Sequence, residues 1–313
     1  MPIVVVGNVF VDVKGFPDEV YIPEGRNSGR VITAHGGVAR NVAEDIANVE
    51  LRPRFVSMVD TSGEGSAVRR KLKDHKVDTD FLITEEDGMG MWLAVFDHTG
   101  DLVAAISKRP RMEPMIELLE KHGDEIFSDA DSIVIEIDLH KEIVKQTFKY
   151  AEKYSVPVIA VVANMSIASE RRDFLTRTDC FVCNAQEAGI LFVEDYSDKS
   201  PEELCDIIAE RIRAADIKAM IVTLGSRGAV YATADGEKGV YPAQSVNVRD
   251  TTGAGDAFCA GVSIGLTYGK TIRESVAIGT RLAASVIKVS ENTCPRFRPS
   301  EFGIDVGTEE TEE

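Results

Sequence analysis

The chain has 313 residues, 44% apolar and 28% charged, which suits one large α/β domain or two smaller ones around a sizeable core. Its 52 acids against 35 bases give a net charge of −17, the reverse of the basic footprint that displaces phosphate counterions, so no nucleic-acid partner is expected. No apolar run approaches the roughly 18 residues of a membrane span. The opening MPIVVVGNVFVD lacks the basic and long apolar regions of a secretory signal, so a cytoplasmic location without membrane contact is expected.

In chain order, the first strand is predicted over 3–7, and Asp12 follows just past its end. A carboxylate there is placed to accept hydrogen bonds from sugar hydroxyls, or is simply a solvated loop acid. Residues 13–35 are polar and punctuated by Gly and Pro. Gly36 and Gly37 then open a helix over 38–49, whose apolar positions are Val38, Val42, Ile46 and Val49. The paired glycines permit close backbone approach to a ligand hydroxyl, and Asn41 can both donate and accept; a plain loop-to-helix turn predicts the same pattern.

A strand over 55–59 and a helix over 64–75 follow, and then residues 88–106 read as a hairpin turning at His98-Thr99-Gly100-Asp101. Together with 13–35 this segment forms either a small separate sheet acting as a lid or edge strands of the main one. The expected division is an α/β core of 1–12, 36–87 and 107–313, with 13–35 and 88–106 as the lid.

The remaining strands are predicted over 132–137, 157–162, 180–184 and 220–224, and the helices over 141–154, 201–215, 255–266 and 272–289. Several strands (IVVV, SIVIEI, VIAVVA, AMIVTL) are apolar throughout, as parallel strands covered on both faces are. Their alternation with helices predicts a doubly wound, mostly parallel α/β sheet. Cys180 and Cys183 form a CxxC within one strand, where i and i+3 point to opposite faces; core thiols in a reducing compartment are expected rather than a zinc site.

Asn184-Ala185-Gln186-Glu187 follows its strand directly. The Asn–Glu spacing suits either Mg²⁺ with its waters or a capping box, and the two readings are compatible. Thr223-Leu224-Gly225-Ser226-Arg227-Gly228 ends one strand and turns into another over 229–233, as a phosphate-facing turn or an ordinary hairpin.

The sharpest feature is RDTTGAGDAFCAGVSIGL, residues 249–266. Gly253 and Gly255 allow backbone N–H groups to converge at a helix N-terminus, an anion hole for a transferring phosphoryl group. Asp256, in the first turn, is placed to take the proton of an attacking hydroxyl. A helix capped by Asp250 or Thr252, with Asp256 complementing the dipole, is the structural alternative. Gly265 to Thr271 imitates a phosphate-binding loop but has three residues between its glycines where that motif needs four; Gly269 instead ends one helix and Thr271 caps the next. None of the five histidines is in a triad-like or metal-spaced pair. The tail GTEETEE is expected to fray.

Over residues 1–300 the chain resembles the ribokinase-like (pfkB) family of carbohydrate and nucleoside kinases, through DTTGAGDAFCAG, GGVARN and NAQE in that family's complement of motifs. The resemblance implies a Rossmann-like core with a β-sheet lid, ATP and Mg²⁺ with K⁺ as a frequent further cation, and a homodimer through the lids. It implies Asp256 as base, with Gly253, Ala254 and Gly255 forming the anion hole. Asp12, Gly36, Gly37 and Asn41 would bind substrate, and Asn184, Glu187, Thr223 and Gly225 would face Mg²⁺ and ATP. Asp250 and Thr252 would belong to the monovalent-cation loop.

GGVARNVAEDIA and LAVFDHTGDLVAAI are most similar to the pseudouridine kinase branch, which implies phosphorylation of the pseudouridine 5′-hydroxyl. Phe10 takes the place of a polar residue of that branch, and Lys108 to Arg111 puts cations at the lid tip, a feature suited to a phosphorylated or acidic sugar. A ribose- or fructose-type sugar kinase, and a catalytically silent ligand-binding protein, are the alternatives.

Overall fold

β1 (Ile3–Val6) is apolar at all four positions because it lies deep within a nine-stranded sheet with both faces covered. The computed structural model describes residues 2–306; the acidic tail from 307 lies outside them. Along the chain come β2 (Phe10–Pro17), β3 (Gly29–Gly36), α1 (Val38–Asn48), β4 (Arg54–Val59), α2 (Gly63–Asp74) and β5 (Leu82–Thr84). β6 (Gly90–Phe96), β7 (Leu102–Lys108), α3 (Glu113–Phe127), β8 (Ser132–Glu136), α4 (Lys141–Tyr154) and β9 (Val158–Val161) follow. After the one-turn helices α5 (Met165–Ala168) and α6 (Arg172–Leu175) come β10 (Cys180–Asn184), α7 (Ala185–Phe192), α8 (Pro201–Ala214) and β11 (Ala219–Thr223). The rest is β12 (Ala229–Thr233), β13 (Lys238–Tyr241), α9 (Ala254–Thr267) and α10 (Ile272–Val286).

The large sheet has the order β13-β12-β11-β10-β9-β8-β1-β4-β5. It is parallel from β11 to β5, and β12 and β13 add antiparallel strands at one edge. Alternate residues of β1 supply two cores: Val4 and Val6 pack under α3, α4 and α8, Ile3 and Val5 under α1, α9 and α10. Cys180 and Cys183 divide the same way, one into each core, so this CxxC has its thiols on opposite faces of the sheet. The doubly wound sheet is thus as expected, and sequence order reverses between β1 and β8. Their carboxyl ends open a crevice there.

The two irregular segments form their own four-stranded sheet, β3-β2-β6-β7, rather than extra edges of the large one. Its strands overrun the expected 13–35 and 88–106, reaching back to Phe10 and forward to Gly36 and Lys108. Asp12 is therefore not a loop residue past β1. It sits inside β2, opposite Ala34 of β3 and Trp92 of β6. Strand pairing fixes two faces. Phe10, Asp12, Trp92 and Ser107 share one; Val13, Val31, Leu93 and Ile106 share the other. α3 was missed in the sequence, and α10 stops at Val286, short of the expected 289. Gly269, at φ 71°, follows α9, and Thr271 caps α10 with Glu274, which removes the phosphate-loop imitation.

Candidate active site

α1 and α9 pack side by side, which brings together two sequence motifs more than two hundred residues apart. Asn41, in the second turn of α1, donates from Nδ2 to Oδ2 of Asp256 at 2.6 Å. Burial pushes the Asp256 carboxyl up to about 7; the Asn41 bond and the nearby Arg40 guanidinium oppose that rise, and Glu187 and Asp12 add to it. A carboxyl titrating there is matched to general-base work near neutral pH.

Gly253 is the N-cap of α9, and no side chain caps this helix. Its φ of 81° is one that glycine adopts without strain, and a Cβ would lie 2.0 Å from the Asn292 carbonyl oxygen. At Gly255 a Cβ would meet nothing within 4 Å, so this part of the first turn faces open space. The alternative of capping by Asp250 or Thr252 does not occur: Asp250 Oδ1 accepts from Thr252 N at 2.8 Å instead. The Ala254 N–H bonds the Thr251 carbonyl at 3.2 Å, which turns that one amide of the expected anion hole inward. The uncapped first turn leaves a helix N-terminus available to an anionic oxygen.

On the acceptor side Gly36 and Gly37 are there for space. A Cβ on Gly36 would lie 2.8 Å from the Asp12 carboxylate oxygens, and one on Gly37, at φ 97°, would lie 2.5 Å from the Asn8 carbonyl oxygen. Burial raises the Asp12 carboxyl, opposed by Lys14 and Arg40. Arg40, fully buried, donates to the Gly36 carbonyl and to Glu44, fixing the turn between β3 and α1. Asn41 Oδ1 is buried with no partner, an acceptor in want of a donor.

Glu136 escaped the sequence reading. It ends β8, almost wholly buried, and accepts from Ala39 N at 2.7 Å and from N and Nδ2 of Asn8 at 3.3 Å. The first turn of α1 and the β1–β2 junction are thereby held to one carboxylate, whose pKa burial drives upward. An acid ending a Val/Ile-rich strand was the available signal.

Glu136, Asp12 and Gly37 line a cleft of about 720 Å³ at the β1/β8 switch point. Phe10 and Trp92 line it from the small sheet, and Arg109, Asp138 and Arg171 line it elsewhere. Of the basic segment, Lys108 is taken by Asp87 at 2.7 Å, while Arg109 and Arg111 reach the cleft.

Asn184, Glu187, Thr223 and Gly225 stand at the carboxyl ends of β10 and β11. Asn184 and Glu187 make the full capping box of α7, at 2.8 and 2.9 Å. Burial raises the Glu187 carboxyl, and the charge of Asp138 adds to it. Such oxygen donors under mutual repulsion fit a hard cation such as Mg²⁺. Thr223 to Gly228 links an antiparallel pair, Thr223 opposite Ala229, with Gly225 at φ 59°.

A family model described as pfkB family carbohydrate kinase matches residues 2–295. A guanosine-inosine kinase from Exiguobacterium acetylicum is 32% identical over 292 residues, covering 93% of this chain and 95% of its own. A pseudouridine kinase from Escherichia coli (strain K12) is 26% identical over 276 residues, covering 88% and 86%. The structure of an Arabidopsis thaliana ribokinase complexed with ribose and ATP superposes with a TM-score of 0.80 at 20% identity, covering 96% of this chain and 98% of that one, a likeness of fold.

Proposed function

The chain belongs to the pfkB family of carbohydrate kinases, phosphotransferases that act on hydroxyl groups, and on that premise we propose that it transfers the γ-phosphoryl of ATP to the 5′-hydroxyl of a nucleoside. The observation that carries the nucleoside is the pair Phe10 and Trp92, which face the cleft beside Asp12. Aromatic rings there offer a stacking surface that a free pentose does not need and a base does. Guanosine and inosine stand first, because the guanosine-inosine kinase is the relative of higher identity and coverage of the two. Pseudouridine, first on sequence motifs alone, stands second.

In this reading Asp12, Gly37, Asn41 and Glu136 hold the ribose, with the unpartnered Asn41 Oδ1 taking a sugar hydroxyl. Asp256 accepts the 5′-hydroxyl proton as its oxygen attacks phosphorus, and the open first turn of α9 at Gly253 and Gly255 faces the charge that develops on the phosphoryl oxygens. Thr223 and Gly225 take the nucleotide. Mg²⁺, held through water by Glu187 beside Asn184, would neutralise charge on the phosphates. Asp250 and Thr252 would border a K⁺ site. The small sheet serves as the lid, and its apolar outer face as a homodimer contact. Five buried free thiols suit a reducing cytoplasm.

ADP release with Mg-ATP tests this over guanosine, inosine, pseudouridine, uridine, ribose, fructose and phosphosugars. Turnover of a free sugar or phosphosugar with no nucleoside turned over would end the nucleoside reading.

A further inference from the structure

Asp138 lies two residues beyond Glu136 at the carboxyl end of β8, on the cleft wall. Its carboxylate is oriented by backbone amides, with Ala163 N donating to Oδ1 at 2.9 Å. A carboxylate has about four lone-pair sites, more than these amides use. Its cationic neighbours are Arg109, just after β7, and Arg171, between α5 and α6; each interacts with its charge, and both line the cleft. Arg171 is steadied by a bond from Nη1 to the Ile137 carbonyl at 3.2 Å, which leaves most of its five N–H donors unspent. A fixed acceptor therefore stands on the same cleft as Phe10 and Trp92, with one steadied guanidinium, Arg171, and one exposed guanidinium, Arg109, lining that cleft too.

We propose that Asp138, flanked by Arg109 and Arg171, reads the lactam edge of the nucleobase, the N–H donor adjoining a C=O acceptor. This rests on the nucleoside reading above and sharpens it. Guanosine and inosine present N1–H beside O6, and uridine and pseudouridine present an imide N–H between two carbonyls. The carboxylate accepts the N–H and a guanidinium donates to the carbonyl, as Arg commonly does to O6 of guanine. Adenosine and cytidine reverse both polarities: a ring-nitrogen lone pair would face the carboxylate and an amino group the guanidinium. A phosphosugar suits the two arginines, but the Asp138 charge on the same cleft wall repels it.

The test compares base edges on otherwise matched nucleosides. Wild-type kcat/KM is expected to favour inosine over adenosine, and uridine over cytidine, by about 10²-fold or more, since sites built to hydrogen-bond a group reject analogues lacking it by up to about 10⁴ to 10⁵. Asp138→Asn keeps an acceptor for Ala163 and gains a donor for the adenine ring nitrogen. It is expected to shrink the inosine/adenosine ratio by about tenfold or more, the scale on which a good base-edge contact discriminates. Arg109→Ala, at an exposed position, should lower kcat/KM for inosine and leave KM for ATP alone. A wild-type ratio near one, or a ratio that Asp138→Asn leaves unmoved, overturns the lactam assignment while the nucleoside kinase stands. Turnover of ribose or fructose with no nucleoside turned over removes both.

Discussion

Asn41 Nδ2 donates to Asp256 Oδ2 across 2.6 Å, so the residue expected only to bind substrate also holds the residue expected to act as base. The bond sets the carboxylate's rotamer and favours its ionised form. It also joins α1, which follows Gly36 and Gly37, to α9, whose N-terminus has no side-chain cap.

Asp256→Asn keeps the size of the side chain and removes the base. Turnover should fall about 10²- to 10⁴-fold, the usual cost of losing general-base catalysis, while ATP affinity by calorimetry stays close to wild type. Near-full activity in this variant would show that another group takes the proton.

Because burial lifts Asp256 to about 7 in the free protein, kcat/KM should fall as pH drops through that value, tenfold per unit below it. Asn41→Ala removes a donor that lowers this pKa, so the acid limb should move to higher pH. Stability has the opposite sign. From its ordinary value of 3.8 up to about 7 the folded protein keeps a proton that the unfolded chain releases, so this group's contribution is present at low pH and lost as pH rises through that window. Asp256→Asn should flatten that part of the Tm–pH curve.

Gly253 and Gly255 separate shape from chemistry. Gly253→Ala forces a Cβ onto the Asn292 carbonyl at φ 81° and should cost about 1–3 kcal/mol in denaturant melts. Gly255→Ala meets no protein atom within 4 Å and relieves a helical glycine, so stability should hold or rise by up to about 1 kcal/mol. Its methyl would project into the space that the phosphoryl oxygens need, so kcat should drop although the fold is intact. Unchanged kcat in Gly255→Ala would remove the anion hole from this turn.

These two glycines were legible in sequence because a helix N-terminus, its turn and its apolar run are all local. The continuous apolar strands were legible for the same reason, and β12 spans the residues read for it, Ala229–Thr233. α3 was overlooked although Met115, Leu118, Leu119, Ile126 and Phe127 keep a helical spacing, because its start at Met112 has no side-chain cap. The roles of Glu136 and Asp138 were not legible for a deeper reason, even with Glu136 visible as an acid ending an apolar strand. A carboxylate's role depends on what surrounds it, and Ala39, Asn8, Ala163 and Arg109 arrive from four other places in the chain. Asp12 was found, but its strand was hidden by the Gly and Pro of FVDVKGFP.

Glu187 bonds Asn184 N and lies in the field of Asp138 and Asp256, which gives it a cap role and a charge role. Glu187→Gln keeps an acceptor for the cap and loses the charge. Stability should stay near wild type, and the Mg²⁺ concentration for half-maximal rate should rise. Glu187→Ala loses the reciprocal half of the box as well and should melt earlier, by about 1 kcal/mol or less. Equal Mg²⁺ dependence in all three proteins would confine Glu187 to capping.

The small sheet has Phe10, Asp12, Trp92 and Ser107 facing the cleft on one side and Val13, Val31, Leu93 and Ile106 on the other. Val31 and Ile106 are 71% and 70% exposed, high values for aliphatic side chains on a sheet. A second copy of the same sheet would cover this face self-complementarily, as a two-fold contact requires. Val31→Lys combined with Ile106→Lys places charge on that face without touching Asp12 or Trp92, so the fold should persist by circular dichroism. Sedimentation should then give a monomer where the parent gives a dimer. If the proposed dimer forms, KM for the nucleoside should rise more than KM for ATP, because the sheet that carries Asp12, Phe10 and Trp92 would lose a partner's support. A parent protein that sediments as a monomer at micromolar concentration would leave this face without a second copy to cover it.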